Sequence, residues 1–142
     1  STPLYSSAAS DVYKRQDGDY ADNERSSLAV CLDTIFQYEG MVKNSSSLLA
    51  AGQDVLTILE ENLDNRTVLN LQGCTLDMVL YYPDREIPVL AVMQDGSAVL
   101  VIGFNEQNVV LMDPLTGTVY KKGMNDARSM FEENGNRFIA YS

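Results

Sequence analysis

The stretch that decides the fold is Gly96-Ser-Ala-Val-Leu-Val-Ile-Gly-Phe104, followed by Asn108-Val-Val-Leu-Met-Asp-Pro-Leu-Thr-Gly117. Two apolar, β-branched runs joined by the polar turn Asn105-Glu106-Gln107 predict a hairpin, whose second strand ends in an Asp-Pro turn closed by Gly117. An aspartate carried by a buried strand into the following turn is held by a rigid element, a position suited to a working carboxylate. The competing reading is that Asp113 caps its own turn through an Asx-type hydrogen bond.

Working outward, Asp95-Gly96 predicts the tight turn that precedes this hairpin. Before it, Ile87-Pro-Val-Leu-Ala-Val-Met93 reads as a buried strand, with Pro88 near its start where a missing donor is tolerated. After it, Thr118-Val-Tyr-Lys121 reads as an edge strand protected by Lys121 and Lys122. Asn125–Glu133 reads as an amphipathic helix capped by Asn125 or Asp126 and stopped by Gly135, and Arg137–Tyr141 as a last strand. Upstream, Leu28, Cys31, Leu32, Ile35 and Phe36 recur at helical spacing. Asp33, Thr34 and Gln37 fall on the other face, Ser26 or Ser27 supplies the N-cap, and Gly40 stops the helix. Two short helices broken at Gly52 follow, each led by polar residues (Ser45–Ser47 and Gln53-Asp54). Then come a strand over Thr67–Leu71 and a helix through Leu76, Val79 and Leu80 that ends at Pro83. Helices first and strands mostly later, without βαβ alternation, predict an α+β fold: an N-terminal helical layer packed on a mostly antiparallel sheet.

The composition narrows the function. The chain of 142 residues has a net charge of −10, no His, no Trp and two Cys. An acidic surface repels phosphate backbones and anionic lipids, so nucleic acid is excluded as a charge-driven partner and a basic ligand is favoured. No Gly-rich phosphate loop appears, and Cys31 and Cys74 lack both a CxxC spacing and any His to complete a zinc set. No cofactor or metal is therefore expected. Both cysteines stand among apolar residues, which favours buried, inert thiols over a disulfide.

Ser6–Gln16 looks like the in-frame translation of a transposon adapter used in sequencing libraries, and Ser1–Tyr5 like the primer tail before it. Residues 1–16 are accordingly expected to be non-native and 17–142 to form a single domain whose true N-terminus lies upstream. Asp17–Glu24 reads as polar and irregular.

The chain from about Glu24 to Tyr141 resembles the papain-like cysteine peptidases that remove double-glycine leaders from bacteriocins. Their nucleophile helix reads roughly Cys-Gly-Pro-Ala-Ser-Leu-Ala-Met-Val-Leu-Asn-Tyr-Tyr-Gly. Here Ser27-Leu-Ala-Val-Cys-Leu-Asp-Thr-Ile-Phe-Gln-Tyr-Glu-Gly40 matches it in length and in Leu32, Tyr38 and Gly40. Their hairpin reads Gly-His-Ala-Val-Val-Val-x-Gly-Tyr and then Asp-Pro-x-x-Gly, against Gly96–Phe104 and Asp113–Gly117 here. The resemblance puts Ser27 where the cysteine nucleophile would stand, Ser97 where the histidine base would stand, and Asp113 where the residue that orients the histidine would stand. Ala21 falls where an oxyanion-hole glutamine is expected.

Two of the three catalytic positions are thus replaced. A Cys–His peptidase needs an imidazole to take the thiol proton and return it to the leaving amine, and the chain has none. What the resemblance implies is a papain-like fold without the enzyme, a domain that holds peptide or protein segments in the former groove. A residual hydrolase using Ser27 or Cys31 with Asp113 is the first alternative, and a structural ectodomain of a bacterial surface protein is the second. An extracytoplasmic or membrane-anchored location, through a segment upstream, would fit either.

Overall fold

The computed structural model describes residues 26–142. The expectations for Ser1–Gln16 and Asp17–Glu24, Ala21 included, lie outside these residues. In chain order the elements are α1 (Ser27–Tyr38), α2 (Ser45–Ala50), α3 (Val55–Asn62), β1 (Val68–Asn70), α4 (Leu76–Val79), a 3-10 turn (Pro83–Arg85), β2 (Val89–Val92), β3 (Ala98–Phe104), β4 (Asn108–Met112), β5 (Val119–Gly123), α5 (Met124–Glu133) and β6 (Phe138–Tyr141). The strands form one sheet in the order β1-β6-β2-β3-β4-β5, and each pairing is antiparallel. The fold is α+β, as the element order implied.

The sheet is covered on both faces, which is why β2 is buried along its whole length instead of alternating. One face carries Leu90, Val92, Leu100, Met112 and Tyr141 against Leu32, Ile35 and Phe36 of α1 and Ile58 and Leu59 of α3. The other carries Val89, Ala91, Val101, Leu111 and Phe138 against Leu76 and Val79 of α4 and Ala127 and Phe131 of α5. Phe131 meets Phe138 edge to face, with centroids 5.2 Å apart. The expectation of one helical layer is therefore corrected to two. Met124, Ala127 and Phe131 form the apolar stripe of α5, but an amphipathic pattern does not say which side of a sheet it covers.

Several local expectations change for identifiable reasons. Asp33 and Thr34 are buried, not solvent-facing, because α1 is flanked by α2 as well as by the sheet. Asp33 accepts the Ser45 amide at 2.9 Å and Thr34 donates to the Val30 carbonyl at 2.7 Å, so each meets a polar partner. The serine run does not precede α2 but forms its first turn, capped by Asn44, whose side chain accepts the Ser47 amide at 3.1 Å. The Leu76 helix makes one turn, and Pro83 starts a 3-10 turn instead of stopping a longer helix. Gly123 caps α5, because β5 runs directly into a helix that starts at Met124 and leaves Asn125 and Asp126 inside its first turn, and the Met124 amide donates to the Gln107 carbonyl at 2.8 Å. Cys31 is fully buried but Cys74 only half so, and both thiols are free.

The element that positions the site is α1, and its C-terminal end is closed by Gly40 at φ +83, a conformation that L side chains resist. The Met41 amide donates to the Phe36 carbonyl at 2.7 Å and the Gly40 amide to the Gln37 carbonyl at 3.0 Å, the double closure of a Schellman cap. Just inside it, Glu39 accepts from the Tyr141 hydroxyl at 2.8 Å and from Arg66 at 2.8 Å, which ties the helix end to β6 and to the approach to β1. Tyr141→Phe removes a largely buried hydrogen bond to a carboxylate and is expected to destabilise the fold by about 1.5–3 kcal/mol, read as a lower urea midpoint with an unchanged m-value.

Candidate functional site

The first residues of α1 and of β3 meet in space. Ser26 is the N-cap, its backbone extended and its hydroxyl accepting the Ala29 amide at 3.1 Å. With the cap supplied by Ser26, the half-buried Ser27 has its hydroxyl available for another partner, and it accepts the Ala98 amide at 3.0 Å. Ala98 is buried and opens β3 opposite Val92 of β2. This one hydrogen bond joins the start of the helix to the start of the strand across 71 residues of chain.

Ser97, the residue before Ala98, faces another partner. Its hydroxyl donates to Asp95 Oδ1 at 2.6 Å and its amide donates to the same oxygen at 2.9 Å. These two bonds close the turn between β2 and β3, in which the Met93 amide also donates to the Ser97 carbonyl at 2.7 Å. The Ser97 hydroxyl, with its amide second, holds the Asp95 carboxyl below the usual carboxylate range.

Asp113 spends its carboxylate on its own turn. Oδ1 accepts the Leu115 amide at 2.9 Å, Oδ2 accepts the Thr116 hydroxyl at 3.3 Å, and the carbonyl accepts the Gly117 amide at 2.7 Å. Of the two readings of this aspartate, the structure supports turn-capping. Cys31 lies one turn inside α1, fully buried in the core under the sheet. Burial pushes its thiol well above the ordinary range, and the charge of Asp113 adds to the effect.

The structure therefore brings Ser27 and the Ser97-Ala98 segment to one junction. The antiparallel register, with Met112 opposite Leu100, puts Asp113 at the same end of the sheet as the start of β3, but its carboxylate is hydrogen-bonded within its own turn. At this junction the arrangement can bind backbone and hold a turn. For acyl transfer it would need a proton acceptor beside Ser27, and Ser97 offers a hydroxyl already given to Asp95. Among the described residues no group of three or more His, Cys, Asp and Glu is placed to hold a metal, and no helix is long and apolar enough to cross a membrane. The Ser27–Ala98 contact carries no local sequence signal. The Asp95–Ser97 link does have one, since an Asp two residues before a Ser at a Gly turn is an Asx-turn pattern.

No family model matches the chain, and no curated protein matches it. Among solved structures, the crystal structure of a C39-like peptidase from Bacillus anthracis superposes with a TM-score of 0.69 at 14% identity, covering 84% of this chain and 89% of that one. At that identity the likeness carries the fold alone, and it supports the papain-like reading of the α+β architecture.

Two expectations follow from the junction. Ser27→Ala leaves the buried Ala98 amide without an acceptor and is expected to cost about 1–3 kcal/mol, measured by urea unfolding. Ser97→Ala is expected to raise the Asp95 pKa toward the ordinary carboxylate value, seen by NMR titration of the Asp95 side chain. Because the folded pKa is depressed, the stabilisation from this bond is present above the unfolded pKa and lost as pH falls through the folded pKa. The variant should therefore lose less stability than the parent over that acid range.

Proposed function

We propose that the chain is a catalytically inactive, peptidase-like domain that holds a peptide or protein segment where its fold relatives would cut one. The observation that carries this reading is the Ser27–Ala98 hydrogen bond. The junction at which the resemblance places nucleophile and base is intact as structure, but its hydroxyls are spent on a backbone amide and on a turn carboxylate. With no histidine in the chain, the loss of base is complete for Cys–His chemistry. Loss of a catalytic unit of this kind forfeits several orders of magnitude in rate.

The C39-like description of the Bacillus anthracis protein agrees with the leader-peptidase resemblance of the Gly96–Gly117 hairpin. Neither residual nucleophile is well placed. Cys31 is fully buried with its thiol pushed toward the neutral form, and Ser27 has no base. The acidity of the chain favours basic segments as ligands.

The test pairs binding with turnover. Incubation with a fluorogenic library of basic peptides is expected to give no hydrolysis above buffer. In NMR titration, peptides that bind are expected to shift the amides of Ser27, Ala29, Ala98 and Leu115 without being consumed. Cleavage that disappears in Ser27→Ala would overturn the inactive reading, and absence of any shift at that junction would overturn the binding one.

A further inference from the structure

On the side of the sheet away from α1, the short α4 and the 3-10 turn after it expose apolar surface that the core does not use. Met78 is 63% exposed and Tyr81 53%, although each neighbours a fully committed core residue, Val79 and Leu80. Scattered surface apolar side chains need no explanation, but here two of the most exposed ones stand within one turn of each other between two clefts. A cleft of about 490 Å³ lies on one side, with Leu80, Phe104 and Met124 in its wall. Another of about 550 Å³ lies on the other side, walled by Leu71, Cys74 and Tyr82, and both share Tyr81.

The rim has a definite sign. Together with the adjoining depression that shares Glu106, Met124 and Arg128, the first cleft is bordered by Asp77, Asp84, Glu106 and Asp126 against only Arg85 and Arg128. Both guanidiniums pair with acids of the rim itself, Asp77 and Asp84, so the four acids and two arginines leave a net charge of −2. Arg128 grips Asp77 at 2.8 and 3.1 Å, while Arg85 lies 3.5 Å from the centre of the Tyr81 ring and 3.6 Å from Asp84. The Arg85–Tyr81 stack also shows that this ring accepts a cation on its face. An apolar surface bordered by net negative charge fits a ligand of the complementary kind.

We propose that this face, built on Met78, Tyr81 and Phe104, is a docking surface for a basic segment of a partner protein that carries an apolar or aromatic anchor. A second copy of the chain fits poorly, because it would bring two like-charged rims together on a molecule of net charge −10. An acidic segment fails for the same reason. The surface is separate from the Ser27–Ala98 junction, since α4 and α5 cover the opposite face of the sheet from α1.

The test uses the whole chain and a synthetic amphipathic peptide with Phe and Leu anchors among Lys and Arg, with a Glu-substituted version as control. The basic peptide is expected to shift the amides of Met78, Tyr81, Arg85 and Phe104, to bind more weakly as salt rises, and to lose affinity by about tenfold or more in Met78→Ser/Tyr81→Ser. Both residues are exposed, so that variant should keep its fold, checked by its unperturbed core amides. Asp84→Lys/Asp126→Lys should weaken the basic peptide and strengthen the acidic one. The proposal is overturned by equal binding of the two peptides, by shifts confined to the Ser27–Ala98 junction, by no shifts at all, or by concentration-dependent self-association that perturbs this same face.

Discussion

The rest of the structure depends on how α1 is held against the start of β3. The helix is buried on more than one side, so its sequence cannot keep a clean polar face, and the polar groups it buries must each find a partner. Asp33 finds the Ser45 amide, Thr34 the Val30 carbonyl and Ser27 the Ala98 amide. At the other end, Glu39 binds Tyr141 and Arg66. These contacts fix where the helix begins relative to the strand, and so decide which side chains stand together at the junction.

The same constraint governs the residues at the junction. A helix start set beside a strand start stands as long as the hydrogen bonding there is satisfied. Ser27 meets the requirement by accepting a backbone amide, and Ser97 by closing the turn through Asp95. The hairpin keeps its shape for similar reasons. Asn105 accepts the Gln107 and Asn108 amides, and Asp113 caps the turn that ends β4. Side chains in positions that would suit a working site hold turns instead.

Much of this was legible in the residues, and the remainder was not for physical reasons. The strands around Gly96–Gly117, the stop at Gly40 and the break at Gly52 follow from periodicity and turn chemistry, which are local. The burial of Asp33 and Thr34 was hidden because it depends on α2 packing beside α1, a tertiary event. The second helical layer was hidden because an amphipathic stripe does not name its partner. The cap of α5 was hidden because β5 runs directly into the helix, which puts Gly123 at the cap and Asn125 inside the first turn. At the site, the absence of histidine could be read directly, whereas the Ser27–Ala98 bond joins segments too far apart in the chain for any local pattern to reveal.

The function we propose rests on the junction standing as structure without catalytic chemistry. It is tested most directly by treating the folded chain with serine-directed fluorophosphonate and thiol-directed probes and locating adducts by peptide mass spectrometry. The account predicts no adduct at Ser27 and none at the buried Cys31 while the protein remains folded. A stoichiometric adduct at Ser27 that disappears on unfolding, and so depends on an activated hydroxyl, would contradict it.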